Sequence, residues 1–431
     1  MTTPFSCLAH PAPATLRAGR IACGLLAATL AGAAAAEASP ASADAPAAPR
    51  WKISGFGTVG AVHASTRSAD FSSTVLHATG AGASERWSPD VDSRLGAQLD
   101  LALGRWSAVL QVLSEQDLEG SYRPHVEWAN IKYQATPDLA LRAGRIALPV
   151  FLAADYRKVG YTLPWVRPPV EVYGALPISS SDGVDATWRW GAGATRHATQ
   201  AFFGRTDTRL YDDRRLKARK IAGLSHSIEH GALSARVSAL SARLTAGIGT
   251  EVFTPLRAFG APGAALAERF AIDDKRVSML SAGFSYDPGQ WFVSAEAGRT
   301  HTRSLLGSTT MMYAGAGYRI ASFTPYLGHA RVRAHGATRD PGLPLAALPP
   351  QLQPTAAALN AGLSVYLSTI PVQSSFSAGL RWDLASSAAL KLQYDRARPT
   401  DGSRGTLINQ QPGFRSGQAV HVASVALDFV F

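Results

Sequence analysis

Apolar and polar residues alternate along most of this chain with the two-residue period of a strand that has one greasy face. The last segment shows it best. Phe431, Phe429, Leu427, Val425 and Ala423 fall on one face, and Val430, Asp428, Ala426, Ser424 and Val422 on the other. Residues 94–103 repeat the pattern, with Leu95, Ala97, Leu99, Leu101 and Leu103 opposite Arg94, Gln98 and Asp100. Strands of roughly 9–11 residues are what a tilted crossing of a bilayer needs. Further strands are expected at 53–63, 106–113, 125–133, 139–145, 182–190, 195–205, 219–228, 233–243, 276–286, 291–301, 309–319, 322–333, 372–383 and 388–397. That makes about sixteen, an even number in the range of single-chain membrane barrels.

The connections alternate in length. Gly104-Arg105, Thr136-Pro-Asp138, Asp287-Pro-Gly-Gln290 and Leu384-Ala-Ser-Ser387 are tight turns, expected on the periplasmic side. Long segments at 64–92, 146–181, 206–218, 244–275, 334–371 and 398–418 are expected as extracellular or lumen-folded loops. The fold class is therefore all-β, a transmembrane antiparallel β-barrel of about 16 strands formed by residues 51–431. A helical membrane protein needs uninterrupted apolar spans, and none follows the N-terminal region. A soluble sandwich of this length would need several cores joined by linkers, and no Pro/Gly linker divides the chain.

Arg17 and Arg20 precede the apolar run 21–30, and Ala34-Ala-Ala36 offers a small-residue cleavage site. This order predicts a secretory signal peptide at 1–36 and a flexible Ala/Pro-rich leader at 37–50. Both cysteines, Cys7 and Cys23, lie in the part to be removed, so no disulfide and no Cys-based metal site is expected. The formal charge is +11 in full and +9 without Arg17 and Arg20. In a soluble protein that excess would suggest nucleic acid. In an exported barrel it predicts a lumen or rim that attracts anions, with no nucleic-acid partner. The alternating last strand that ends on Phe431 resembles the C-terminal segment of Gram-negative outer-membrane barrels, which implies an outer-membrane location with membrane lipid and lipopolysaccharide as surroundings.

The segment 146–178 is too rich in proline for a strand, yet carries more apolar and aromatic residues than a solvated loop needs. We expect it to fold into the lumen as a constriction loop, bringing Asp155, Arg157, Lys158, Arg167 and Glu171. The alternative is an external loop whose aromatics contact another subunit or lipopolysaccharide. Strand phase turns Arg94, Asp100, Arg142, Asp185, Arg189, Arg236, Glu296, Arg381, Lys391 and Asp395 inward, with Asp383 and Asp428. Charges of both signs suit a water-filled channel and are costly on a lipid face. Arg205, Arg209, Arg214, Arg215, Lys217, Arg219 and Lys220, offset by Asp207, Asp212 and Asp213, form the most basic stretch. It would either draw anions to one mouth or meet lipopolysaccharide phosphates. No Gly-x-Ser-x-Gly elbow, His-Glu-x-x-His or P-loop occurs, and His226 and His230 match no established ligand pattern. The expectation is a passive channel for small hydrophilic solutes or ions with a mild anion preference: no catalytic residues, no metal, no cofactor. An outer-membrane hydrolase and a substrate-specific uptake channel are the alternatives.

A terminal Phe on an alternating strand resembles the signature by which the barrel assembly machinery receives outer-membrane barrels, which implies that Phe431 and Phe429 form the insertion signal. The strand Leu390-Lys-Leu-Gln-Tyr-Asp-Arg396, the loop segment Ile408-Asn-Gln-Gln-Pro-Gly-Phe414 and the final strand resemble the C-terminal end of proteobacterial porin-like proteins. Leu139-Ala-Leu-Arg-Ala-Gly-Arg-Ile146 with Pro149-Val-Phe151 resembles their strand-to-loop passage. The resemblance implies a Gram-negative porin, a 16-stranded barrel that is usually a homotrimer. The Pro-Glu-Phe-Gly-Gly motif of enterobacterial general porins is missing, so their constriction geometry does not carry over. The phosphate-selective porins are a looser likeness, and no phosphate-binding set is carried across from them.

Overall fold

The computed structural model describes residues 48–210, 214–336 and 338–431; the expected signal peptide, most of the leader and both cysteines lie outside them. Sixteen long strands run through the described residues. The first four are β1 (Arg50–Ala64), β2 (Arg94–Leu103), β3 (Trp106–Glu115) and β4 (His125–Gln134). Then come β5 (Leu139–Ala147), β6 (Ser180–Ala192), β7 (Thr195–Arg209) and β8 (Arg215–His230). The third group is β9 (Leu233–Ala246), β10 (Ile272–Tyr286), β11 (Trp291–Thr302) and β12 (Thr309–Tyr318). The last is β13 (Phe323–Ala334), β14 (Gln373–Ala385), β15 (Ala388–Pro399) and β16 (Val420–Val430). Each pairs antiparallel with its neighbour in sequence, and β1 pairs with both β2 and β16, which closes the barrel. Closure leaves no open strand edge, the condition for crossing hydrocarbon with strands.

The seam shows why its residues are small. Gly55 exchanges two backbone hydrogen bonds with Phe431, at 2.8 and 3.0 Å. A Cβ on Gly55 would stand 2.2 Å from the Phe431 ring, and one on Gly57 would stand 2.4 Å from Phe429. Glycine at both positions lets the terminal rings lie flat across β1 on the outside.

The outer surface is zoned. Aromatic side chains ring the turn end, where Trp106 meets Tyr133 at 4.6 Å, Tyr286 meets Trp291 at 5.4 Å and Phe323 meets Trp382 at 5.6 Å. Above them exposed Leu110, Ile131, Val184, Leu224, Val237, Leu280 and Leu327 form an apolar band. This is the lipid-facing arrangement of a membrane barrel.

Two loops are more ordered than alternation predicts. Residues 247–271 hold α2 (Thr250–Leu256) and α3 (Gly260–Phe270), and 335–372 hold α4 (Gln353–Leu367); a shorter α1 (Val170–Tyr173) lies in the loop after β5. Ala356, Leu359, Leu363 and Leu367 line one face of α4 and pack with Val252, Phe253 and Leu256 of α2 in an apolar cluster above the barrel. The expected loop at 206–218 is instead mostly strand, since β7 runs to Arg209 and β8 resumes at Arg215. Cross-strand charge favours that extension: Asp207 faces Lys217, and Arg215 Nε donates to Asp207 at 2.7 Å.

Candidate functional site

The segment between β5 and β6 enters the barrel and packs on its inner wall. Its base is closed by the Leu148 N–H, which donates to the Ser179 carbonyl at 3.0 Å. From there Leu148, Val150, Phe151, Leu163, Val172 and Tyr173 join inward-facing Phe202, Leu240, Met279, Met311, Tyr313 and Val332 in one buried cluster. Burial of these side chains is the driving force for insertion, at roughly 1.5–3 kcal/mol for each fully buried large one.

Proline deprives the loop of regular ladders, so the wall satisfies its backbone. Ser238 Oγ donates to the Pro149 carbonyl at 2.8 Å, Ser281 Oγ to Val150 at 2.5 Å and Arg236 to Phe151 at 2.6 Å. Glu296 accepts from the Leu152 N–H at 2.8 Å and from the Tyr173 and Tyr313 hydroxyls at 2.5 and 3.0 Å. Further round, Arg381 donates to the carbonyls of Tyr161 and Leu163, at 2.6 and 2.9 Å. Lys391 Nζ donates to those of Gly160 and Trp165, at 2.7 and 3.1 Å, and pairs with Asp428 at 2.8 Å with both side chains fully buried.

Four of the five charged loop residues reach different strands. Arg167 forks onto Asp92, with 2.8 and 2.5 Å contacts, and lies 3.3 Å from Asp395. Burial alone would lower its pKa, but Asp92 and Asp395 reverse this and hold it above the usual arginine value. Glu171 accepts from Gln373 at 2.7 Å and from Ser375, and burial raises its carboxyl above the ordinary range despite these donors. Lys158 pairs with Glu115, and Asp155 lies 3.4 Å from Arg236. Arg157 turns back onto its own loop, donating to the Leu176 and Pro177 carbonyls at 3.1 and 3.3 Å, and burial lowers its pKa.

Most of these anchors lie on β9–β16, and Lys158 also ties the loop to β3 through Glu115. The remaining wall is polar. Gln98 donates to Asp100 at 3.0 Å, Arg142 pairs with Asp185 at 2.7 Å, and Arg94 stands 4.0 Å from Glu115. On the turn-side half, Lys132 faces Arg142 across β4 and β5, and Arg189 lies nearby on β6. Neither Lys132 nor Arg189 makes an ion pair among the described residues. Lys132 is absent from the sequence-derived set although its alternation with exposed Ile131 marks it as inward. Asp92 is missed too, because it sits in an irregular loop with no phase to read.

One serine–histidine contact occurs in the first long loop, where Ser72 Oγ lies 3.1 Å from His77 Nδ1. Both residues are buried, no group among the described residues bonds His77 Nε2, and burial pushes the imidazole down to about 4. The contact offers no nucleophile to a solute.

Solved structures give the same architecture. The outer membrane channel DcaP of Acinetobacter baumannii, 10% identical, matches over 89% of this chain and 97% of its own with a TM-score of 0.52. The fold is that of the outer-membrane porins. Salmonella typhi OmpF, solved with daunomycin, is 12% identical over 88% of this chain and 97% of its own, with a TM-score of 0.52. OmpT, an outer membrane protein of Vibrio cholerae, is 11% identical over 91% and 100%, with a TM-score of 0.50. No protein-family model and no curated protein sequence matches the chain. At such identities the porin likeness is one of fold alone.

Proposed function

We propose that this outer-membrane barrel is a passive diffusion channel for small hydrophilic solutes, with a mild preference for anions. The inserted loop sets the narrowest section. The observation that carries the reading is the cationic patch of Lys132, Arg142 and Arg189 on the turn-side half of β4–β6, where the loop makes no hydrogen bond or ion pair among the described residues. Arg142 is paired with Asp185, so the charges of Lys132 and Arg189 raise local anion concentration and lower the barrier to anion entry. Diffusion through such a passage needs no cofactor and no catalytic group. A homotrimer is the proposed assembly, a reading supported by a trimer form of the Vibrio cholerae protein with a TM-score of 0.50.

Planar-bilayer recording in a salt gradient tests this. The purified barrel should conduct, with a reversal potential on the anion side. Lys132→Glu with Arg189→Glu should move it to the cation side at similar conductance. A barrel that conducts nothing would favour the alternative of an outer-membrane hydrolase, and a reversal potential indifferent to both changes would remove the anion assignment.

A further inference from the structure

Two imidazoles meet on the outside of the barrel at its turn end, where diffusion through the lumen makes no use of them. His197 of β7 shares the outward face of exposed Phe203, and His226 of β8 shares that of exposed Leu224. The register sets Thr199 opposite His226 and His197 opposite Ile228, so the two rings meet on a cross-strand diagonal. His197 Nδ1 lies 3.3 Å from His226 Nε2. Trp190 of β6 stacks on the His197 ring, with centroids 3.8 Å apart and planes inclined by 7°. It stands in the aromatic girdle beside Trp188, at 6.1 Å.

Both rings are fixed from behind. Trp190 sets the plane of His197, and the Thr199 hydroxyl lies 2.9 Å from His226 Nδ1. With Nδ1–H donating to that hydroxyl, His226 Nε2 turns its lone pair toward His197. An acceptor behind the far N–H is the usual outer support of a metal-ligating histidine. The spacing fits the same chemistry, since two nitrogens about 2.0–2.1 Å from one ion at a tetrahedral angle stand about 3.3 Å apart. Among the described residues no third His, Cys, Asp or Glu joins the pair in a metal-holding group. An all-imidazole set favours zinc, copper or nickel over calcium and magnesium, which take oxygen.

We propose that His197 and His226 bind one transition-metal ion of the zinc or copper(II) class at the turn-side rim, with water filling its remaining positions. Without the ion, His197 Nδ1–H donates to His226 Nε2. On binding, His197 carries its proton on Nε2 instead and both facing lone pairs go to the metal, with no net proton released. The girdle is where rings with a polar edge reach water, so the ion enters from solvent without crossing the apolar band. Once bound it ties β7 to β8 and stabilises the folded barrel by mass action. The site is independent of whether the barrel conducts.

The test uses the full, untagged barrel in detergent, stripped with a chelator at neutral pH. Zinc chloride is titrated by calorimetry, and copper(II) chloride by paramagnetic resonance and tryptophan fluorescence. Wild type should bind one equivalent of either metal, with copper showing two coordinated imidazole nitrogens and quenching Trp190. H197Q and H226Q should each bind at least tenfold more weakly, with folding verified by the heat-modifiable gel shift. Thr199→Val, which removes only the hydroxyl behind His226, should weaken binding several-fold and covers the case in which a histidine variant does not fold. Trp190→Phe should lose most of the quenching, and H421Q, at the loop end of β16, should change nothing. No binding by wild type would leave only a hydrogen-bonded imidazole pair and overturn the assignment. Equal binding by the histidine variants, or displacement of zinc by calcium at equal concentration, would overturn it as well.

Discussion

Lys391 shows how single residues hold the inserted loop. Its ammonium is buried among the Asp428 carboxylate and the Gly160 and Trp165 carbonyls, and Thr58 Oγ1 donates to the same Asp428 at 2.5 Å. Removing one member of such a pair strands the other as an uncompensated buried charge, at a cost of about 3–5 kcal/mol. Replacing both with apolar groups of similar size is often nearly neutral. Lys391→Met should therefore lower the temperature of the heat-modifiable gel shift, and Lys391→Met with Asp428→Leu should recover most of it. Conductance should behave differently. The double variant still lacks the donor for two loop carbonyls, so its open channel should be noisier than wild type. A double variant as unstable as the single one would refute the pairing, and a quiet recording would refute the anchoring role.

Among the elements, the strands were the legible part of the sequence and the loop contacts were not. Lipid outside and water inside impose a period of two on every strand, so Leu95, Leu99 and Leu101 declare the outer face and Arg94 and Asp100 the inner one. The composition of residues 146–178 indicated a packed segment. The anchors were hidden because they join residues far apart in sequence: Arg167 to Asp92, Glu171 to Gln373, Lys158 to Glu115. The α4 helix was readable in the spacing of Ala356, Leu359, Leu363 and Leu367, but in a chain dominated by alternation such an interval passes as a loop. Deleting residues 155–171 should raise single-channel conductance several-fold, because the barrel ladders on either side do not depend on them. Unchanged conductance would mean that another element sets the narrowest section.

At the scale of the molecule, the outer surface divides into two sides that ask for different neighbours. Over β8–β13 the apolar band ends in arginines, which suits lipid. Over β1–β4 it continues without them and carries small residues, Ala97 and Ala129, beside exposed Leu95 and Leu110. In a bilayer, apolar area alone does not drive protein association, because lipid is as greasy as leucine; close packing does, and small residues permit it. The β1–β4 side is therefore the proposed subunit contact. A bulky apolar residue separates the two cases, since it is tolerated against fluid lipid and clashes against a packed subunit. Ala97→Trp with Ala129→Trp should convert trimer to monomer on native gels and in chemical cross-linking, with folding verified by the heat-modifiable shift. Ala297→Trp, on the outward face of β11, should leave the trimer intact. Dissociation by Ala297→Trp alone would move the contact to the arginine side.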